Sequence, residues 1–392
     1  MAGDAEEREL PGRLTLGVEE EYQIVDPETG ELRSRASRVL RDARRELGEQ
    51  VTTELHLSQV ESATPVCETL DDVRAEVARH RRGLIEAAGR DGTRIIAAGT
   101  HPFSRPEHQM ITPRERYQKL AADYQHLARD LIIFGCHVHV GLPDPGLGIE
   151  VLNRARLWLA PLLALSANSP FYRGEDTGYA SFRTELWGQW PLSGPPQPFE
   201  DREDYESLIE GLVATRVIDD PSKIYWDIRL PARLPTVEFR VTDVCLGVDD
   251  AVMIAGLIRG LTRVCLEEAR AGAPYRKARP ELLKASMWMA ARYGLTSELF
   301  DVEHCRRVLA VDLVEQLLER VRPGLEAEGD WEQVSGLVRR TLKHGNGAMR
   351  QREVFWRRNE LLDTIAFAIQ ETARGTGAEL PETEAGEAAR AA

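Results

Sequence analysis

Three short stretches carry side chains that could do chemistry together: Glu19-Glu20-Glu21 in "RLTLGVEEEYQIVDP", His137-Val138-His139 in "LIIFGCHVHVGL" and Glu238-Phe239-Arg240 in "TVEFRVTD". Each reads as a strand, along which side chains alternate between two faces. In the first, Leu14, Leu16, Val18, Tyr22 and Ile24 share a face with Glu20, while Glu19 and Glu21 project from the other. In the second, Ile132, Phe134, Cys136, Val138, Val140 and Leu142 make an unbroken apolar face opposite His137 and His139. In the third, Val237, Phe239 and Val241 face one way, Glu238 and Arg240 the other. If the strands share a sheet, their charged faces converge. Carboxylates gathered with imidazole bind divalent cations, and a mostly oxygen donor set favours Mg²⁺ or Mn²⁺ over Zn²⁺. Such ions would offset Glu19 and Glu21. Glu20, on the apolar face, needs a separate positive partner.

Any one of these pairs could also be an ordinary solvated face. His-x-His occurs on exposed strands, and Glu-x-Arg is commonly a same-face ion pair worth under about 1 kcal/mol. Recurrence on three strands with apolar reverse faces is what favours a site.

The elements that must position these residues alternate irregularly. "LTLGVEEEYQIV" and "ELRSRA" flank the turn "DPETG" and read as a hairpin. Helices are expected at "SRVLRDARRELG" and at "TLDDVRAEVARHRRGLIEAAG", where Thr69 and Asp72 resemble a capping box. "TTELHLSQVESAT" reads as one or two strands, "TRIIAAGT" as another. Further helices are expected at "DDAVMIAGLIRGLTRVCLEEARAG", at "RRVLAVDLVEQLLERV" and in a long one ending "FWRRNELLDTIAFAIQETAR". Hairpin-linked strands with long helices predict an α+β fold, its sheet largely antiparallel with helices on one side. Neither Gly-rich nucleotide fingerprint is present.

Bulk properties set outer limits. With 392 residues, 42% of them hydrophobic, the chain can bury a sizeable core. A net charge of −14 argues against nonspecific nucleic-acid binding, which is driven by excess Lys and Arg. The five cysteines are scattered without a Cys-x-x-Cys pair, so reduced thiols in a cytoplasmic protein are expected. The acidic opening "MAGDAEERELPG" lacks the apolar core of a signal peptide, and no window is apolar enough for a membrane span. Tails are expected over residues 1–12 and 375–392, with one catalytic domain over 13–374.

At "GVEEEYQIVDPETGEL", "TTELHLSQVESATP", "GCHVHVGLPD", "SANSPFYRGEDTGYASFR" and "TVEFRVTDV" the sequence resembles the YbdK-type carboxylate–amine ligases, also called glutamate–cysteine ligase type 2. These are relatives of glutamate–cysteine ligases and of glutamine synthetase. The resemblance implies a glutamine-synthetase-like curved sheet with helices on its outer face, and ATP with two or three Mg²⁺ or Mn²⁺ ions on its concave side. By motif, Glu19, Glu21, Glu54, Glu61, His137 and Glu238 fall at acidic or metal-binding positions. Arg240 would contact phosphate, and Arg183 of "YASFR" resembles a substrate- or phosphate-binding Arg. His139 either supports a ligand or lines the nucleotide cleft. Glu54 and Glu61, seven apart, reach one site only if a bulge or strand break intervenes; otherwise one points to solvent.

The implied reaction joins an amino-acid carboxylate to an amine: ATP phosphorylates the carboxylate, and the amine displaces phosphate. A possible homo-oligomer follows from the same resemblance. Substrate-choosing contacts are expected in loops containing Arg116, Tyr117 and Trp187. In "KHGNGAMRQR", Arg350 beside a helix start is a phosphate candidate, or else a solvated Arg at a glycine-containing helix entry. Two rival readings are a metal-dependent amidohydrolase, which also uses His-x-His, and a noncatalytic metal- or nucleotide-binding protein. His304 and His344, expected in helices, offer the hydrolase no further ligands.

Overall fold

The computed structural model describes residues 12–380; most of the expected N-terminal tail and residues 381–392 of the C-terminal one lie outside them. Eleven strands are present: β1 (Leu16–Val25), β2 (Val51–Thr53), β3 (Gln59–Ala63), β4 (Arg94–Ile96), β5 (Gly135–Gly141), β6 (Phe171–Tyr172), β7 (Glu175–Asp176), β8 (Ile228–Arg229), β9 (Thr236–Asp243), β10 (Glu298–Asp301) and β11 (Arg306–Leu309). Seven of them form the main sheet in the order β2-β3-β1-β5-β9-β8, with β4 pairing the end of β1. All its strand pairs are antiparallel. The other four form two separate two-stranded ribbons.

Alternation divides the sheet as its sequence suggests. Leu16, Val18, Cys136, Val138, Val140, Val237, Phe239 and Val241 enter one apolar cluster with residues of the helices Gly148–Ala155, Leu159–Ser166, Val248–Arg270 and Ala310–Glu328. Burying a side chain such as Val138 or Phe239 stabilises the fold by about 1.5–3 kcal/mol. The second half of β1 supplies Tyr22 and Ile24 to another cluster, with Leu40, Leu84 and Ile365 from three further helices.

Glu20 lies inside this apolar layer, and its partner is Arg81 of the helix Leu70–Arg90. Arg81 Nη2 donates to Glu20 Oε1 at 2.6 Å and Nε to Oε2 at 3.1 Å. The Tyr22 hydroxyl donates to the same carboxylate at 2.5 Å, and Arg81 also donates to the carbonyls of Cys245 and Leu246. The helix starts on the expected capping box: Asp72 N donates to Thr69 Oγ1 and Thr69 N to Asp72 Oδ2.

Three expectations need correction. "ELRSRA" contributes only an isolated bridge, Leu32 to Val25, and no second hairpin strand. Residues Arg306–Leu309 form β11, so the helix there begins at Ala310 and His304 sits in the hairpin turn. The long C-terminal helix is two, Gly347–Arg358 and Leu361–Ala373, because Asn359 turns left-handed (φ 60°) and ends the first. Apolar periodicity continues across that break and conceals it.

Two stability measurements follow. Arg81→Met strands a buried carboxylate and is expected to cost about 3–5 kcal/mol in denaturant unfolding, whereas Arg81→Met with Glu20→Leu recovers most of it. Burial also holds the His80 and His101 imidazoles down at about 4. Their folded values lie below the unfolded value, so the unfolded chain binds more protons as pH falls from about 6.5 to 4. Each imidazole therefore contributes a loss of stability through that window, by at most about 1.4 kcal/mol per pH unit, while carboxyls raised by burial, such as Glu21, contribute with the opposite sign. Thermal melts of the parent and of His80→Gln from pH 7 to 5 should differ accordingly, the variant losing less stability, or gaining more, as pH falls.

Candidate active site

The strand registers bring the charged side chains into rows. Glu19 lies opposite His137, Glu21 opposite Glu61, and His139 opposite Glu238, which in turn faces Arg229 across the next ladder. Glu19 bridges the two imidazoles: Oε2 is 3.2 Å from His137 Nδ1 and Oε1 is 3.3 Å from His139 Nε2. One oxygen or nitrogen from each of Glu19, His139 and Glu238 lies within 4.8 Å of the others, the one such metal-type cluster among the described residues. Thr236 Oγ1 holds His139 Nδ1 at 3.1 Å, while Nε2 is turned to the Glu19 carboxylate, 3.3 Å from Oε1. An imidazole oriented through one nitrogen, with the other directed at carboxylates, has the donor chemistry of a metal ligand. His139 thus joins the metal-type cluster itself, a place that pattern reading left open.

Glu21, Glu54 and Glu61 form the other half of the face. The β1–β5 ladder ends at Glu20 and Cys136, and the Glu21 carboxylate then takes the next free amide, Gly135 N, at 2.6 Å. Glu54 lies in the break between β2 and β3, which resolves the parity problem of a seven-residue spacing. The Tyr117 hydroxyl donates to its Oε2 at 2.9 Å. Burial, then the neighbouring Glu54, push the Glu21 carboxyl up to about 7. Glu61 is raised well above the ordinary range by burial and by Glu19, Glu54 and Glu21. Burial also raises Glu54, although Tyr117, Arg116 and Arg240 oppose it. Three acids raised chiefly by burial, two of them further by neighbouring carboxylates, are a site short of positive charge, which a divalent ion would supply.

Glu238 is the opposite case. Burial works against its ionisation, but Arg240, Arg229 and His139 hold it down at about 2. Arg229 Nε donates to Glu238 Oε2 at 2.6 Å and Nη2 to Oε1 at 3.1 Å, while Arg240 pairs with Oε1. Burial, then Arg240, keep His137 neutral by lowering it to about 4.

Arg183 reaches the same face through a gap left by glycine. A methyl group on Gly135 would lie 2.5 Å from Arg183 Nη2. The guanidinium donates to the carbonyls of Val241 and Arg240, and Nη1 lies 3.9 Å from Asp243. Asp243 owes its position to a β-bulge. Cys136 pairs with Thr242 but Val138 with Phe239, so Arg240 and Val241 together oppose His137. Beyond this step Asp243 faces Gly135, on the charged side, where it accepts from Asn168 N, Ser169 Oγ and Ser181 Oγ at 2.7 Å each.

A cavity of about 1300 Å³ opens over the Glu19–His139–Glu238 end, with Arg229, Arg116 and Lys223 among its walls. Of the loop candidates, Arg116 lines this cavity, Tyr117 holds Glu54, and Trp187 lies 6.0 Å below the Arg240 guanidinium. Arg350 is placed elsewhere: it pairs with Glu371, lies 3.9 Å from Asp250 and covers Phe367. Asn346 already caps that helix by accepting from Met349 N at 3.0 Å. His304 is bound to Asp301 in its hairpin, and among the described residues no contact ties it to the site. Arg229 and Asp243 escaped the sequence reading, the first because β8 is too short to show a period, the second because the bulge reverses parity.

With this geometry in hand, the comparisons are informative. The model of glutamate–cysteine ligase family 2 matches residues 15–378. A Rhodopirellula baltica protein named provisionally as glutamate–cysteine ligase 2 is 44% identical over 363 residues, 91% of this chain and 96% of that protein. One from Mycolicibacterium smegmatis, named in the same way, is 41% identical over 360 residues, covering 92% of this chain and 90% of its own length. Among solved structures, the glutamate–cysteine ligase of Francisella tularensis in complex with AMP superposes with a TM-score of 0.70. It is 13% identical, over 97% of this chain and 93% of that one, which establishes likeness of fold.

Metal titration should separate the placements. In calorimetry with Mn²⁺, His139→Ala is expected to weaken binding at least about tenfold, while Arg350→Ala stays within about twofold of the parent.

Proposed function

The chain belongs to glutamate–cysteine ligase family 2, and from that premise we propose that it is an ATP-dependent carboxylate–amine ligase forming a γ-glutamyl-type amide. The observation that carries the reading is one sheet face bearing Glu19, His139 and Glu238 beneath a cavity large enough for a nucleotide, with Arg183 and Arg240 alongside. The names of the relatives point to glutamate and cysteine as substrates, and the AMP held by the Francisella ligase fits nucleotide use.

A carboxylate is a poor acyl donor because its leaving group would be oxide. In the proposed reaction the substrate carboxylate oxygen attacks the γ-phosphorus of ATP and ADP departs. The amine then attacks the carbonyl carbon of the acyl phosphate, the C–O bond breaks, and phosphate leaves. Two anions must approach one another first. Arg183 and Arg240 supply fixed positive charge for the phosphoryl group and the substrate carboxylate. Two or three Mg²⁺ or Mn²⁺ ions suit the acidic face, one held by Glu19, His139 and Glu238 and others by Glu21, Glu54 and Glu61. When bound, they would neutralise phosphate charge and keep the anionic reactants together. His137, held neutral, orients Glu19.

Arg229 keeps the Glu238 carboxylate turned toward the cluster. No helix among the described residues is long and apolar enough to cross a membrane, and the five cysteines are all free, which suits the cytoplasm.

The test is release of ADP when ATP, a divalent ion, glutamate and an amine are combined, with amino acids screened as partners. Glu21→Gln and Glu238→Gln are each expected to lower that rate by at least about a hundredfold, with circular dichroism unchanged. Full activity in both would remove the metal assignment. Amide hydrolysis without ATP would replace the ligase reading with the hydrolase.

A further inference from the structure

Two kinds of arginine serve this face. Arg229 and Arg240 pair directly with the Glu238 carboxylate, which engages their N–H groups within the protein. Arg183 is held differently. It is only 3% exposed, yet its contacts are long: Nη1 donates to the Val241 carbonyl at 3.5 Å and Nη2 to the Arg240 carbonyl at 3.3 Å. Its Nε is buried without a hydrogen-bond partner. A guanidinium has five N–H donors, so most of this one's are unengaged. Its ion pair with Asp243 spans 3.9 Å from Nη1 to Oδ1, beyond hydrogen-bond reach.

Asp243 stays at that distance because other groups fix it. It is fully buried, with Asn168 N and Ser169 Oγ donating to Oδ2 and Ser181 Oγ to Oδ1. All three donors are neutral, so they orient the carboxylate without cancelling its charge. Glycine makes room for it: a methyl group on Gly99 would lie 2.8 Å from Asp243 Cγ. The same hydroxyls hold the backbone that carries Arg183. Ser169 Oγ accepts from Arg183 N at 3.1 Å, and Ser181 caps the helix Phe182–Trp187 by accepting from Thr184 N. Asp243 thus acts on Arg183 through its field and through the two serines, and neither route takes up a guanidinium N–H. A counter-charge placed in this way offsets burial of the cation, sets its direction and leaves donors free for an arriving anion. A direct two-bond pair would occupy those donors.

We propose that Asp243 is a positioning residue, which aims the Arg183 guanidinium at an anionic group of the reactants while leaving its donors free. The assignment rests on the ligase reading, in which that anion is a phosphoryl group or a substrate carboxylate. It extends the site to Asp243, Ser169 and Ser181, behind the arginine and out of reach of the reacting atoms.

A double-mutant cycle tests this, because a residue that acts through Arg183 has nothing to act on once Arg183 is gone. Calorimetric affinities of the full chain for ATP with Mg²⁺ and for L-glutamate tell which anion is concerned. Arg183→Ala should weaken one of the two by about ten- to a hundredfold, and Asp243→Asn should weaken the same one by at least about tenfold. Added to Arg183→Ala, Asp243→Asn should change it by less than about twofold. Ser181→Ala, a milder change, should lose about threefold in the parent and nothing further in the Arg183→Ala background. Should Asp243→Asn fail to fold by circular dichroism, the Ser181 cycle decides alone. Equal losses with and without Arg183, or losses on different ligands, would show a structural role and overturn the assignment. Tighter binding by Asp243→Asn, as removal of a negative charge alone would give, also overturns it, as does unchanged binding or a parent that binds neither probe. A cycle that behaves as expected while no amine yields ADP would instead sink the ligase reading and leave the positioning role standing.

Discussion

The Glu20–Arg81 ion pair beneath the sheet is the contact on which the site's geometry depends. In a strand with three consecutive acids, a slip of one residue would exchange the buried carboxylate for two others and turn the apolar side chains outward. Arg81 resists that slip because it is itself held by the carbonyls of Cys245 and Leu246, just beyond β9. The helix Leu70–Arg90 therefore ties the register of β1 to the chain leaving β9. Opposition of Glu19 to His137, and of His139 to Glu238, is downstream of that tie.

Above the sheet, charge compensation varies from one end to the other. Glu238 is fully met by protein cations and stays ionised far below neutrality. Glu21, Glu54 and Glu61 are met by Gly135 N–H, a phenol and distant guanidinium groups, and all three are raised. The protein's own cations thus compensate Glu238 closely and the far end only in part.

Much of this was legible in the sequence because alternation is a local rule. The division of Glu19, Glu21, His137, His139, Glu238 and Arg240 from the apolar side chains needed only neighbouring residues, and the antiparallel α+β architecture followed from the same strands. What was not legible depended on distant or irregular geometry. Arg81 lies 61 positions from Glu20, on a helix whose apolar stripe gives no hint of a buried cation. Glu54 and Glu61 needed a strand break that periodicity cannot locate. Arg350 could be read as a helix-end anion site or as a solvated Arg, a choice that local sequence leaves open; in the structure Asn346 caps that helix and Glu371 holds the guanidinium.

The irregularity in β9 has a practical consequence for anyone transplanting or trimming this strand. Glu238 and Asp243 are separated by an odd number of steps yet look into the same chamber. A copy laid out by strict in-and-out lettering would post Asp243 to the oily storey, below the floor it is meant to stand on, and cast Arg183 loose from its anchor. The extra residue is a half-landing in the staircase, and removing it would disturb both floors at once.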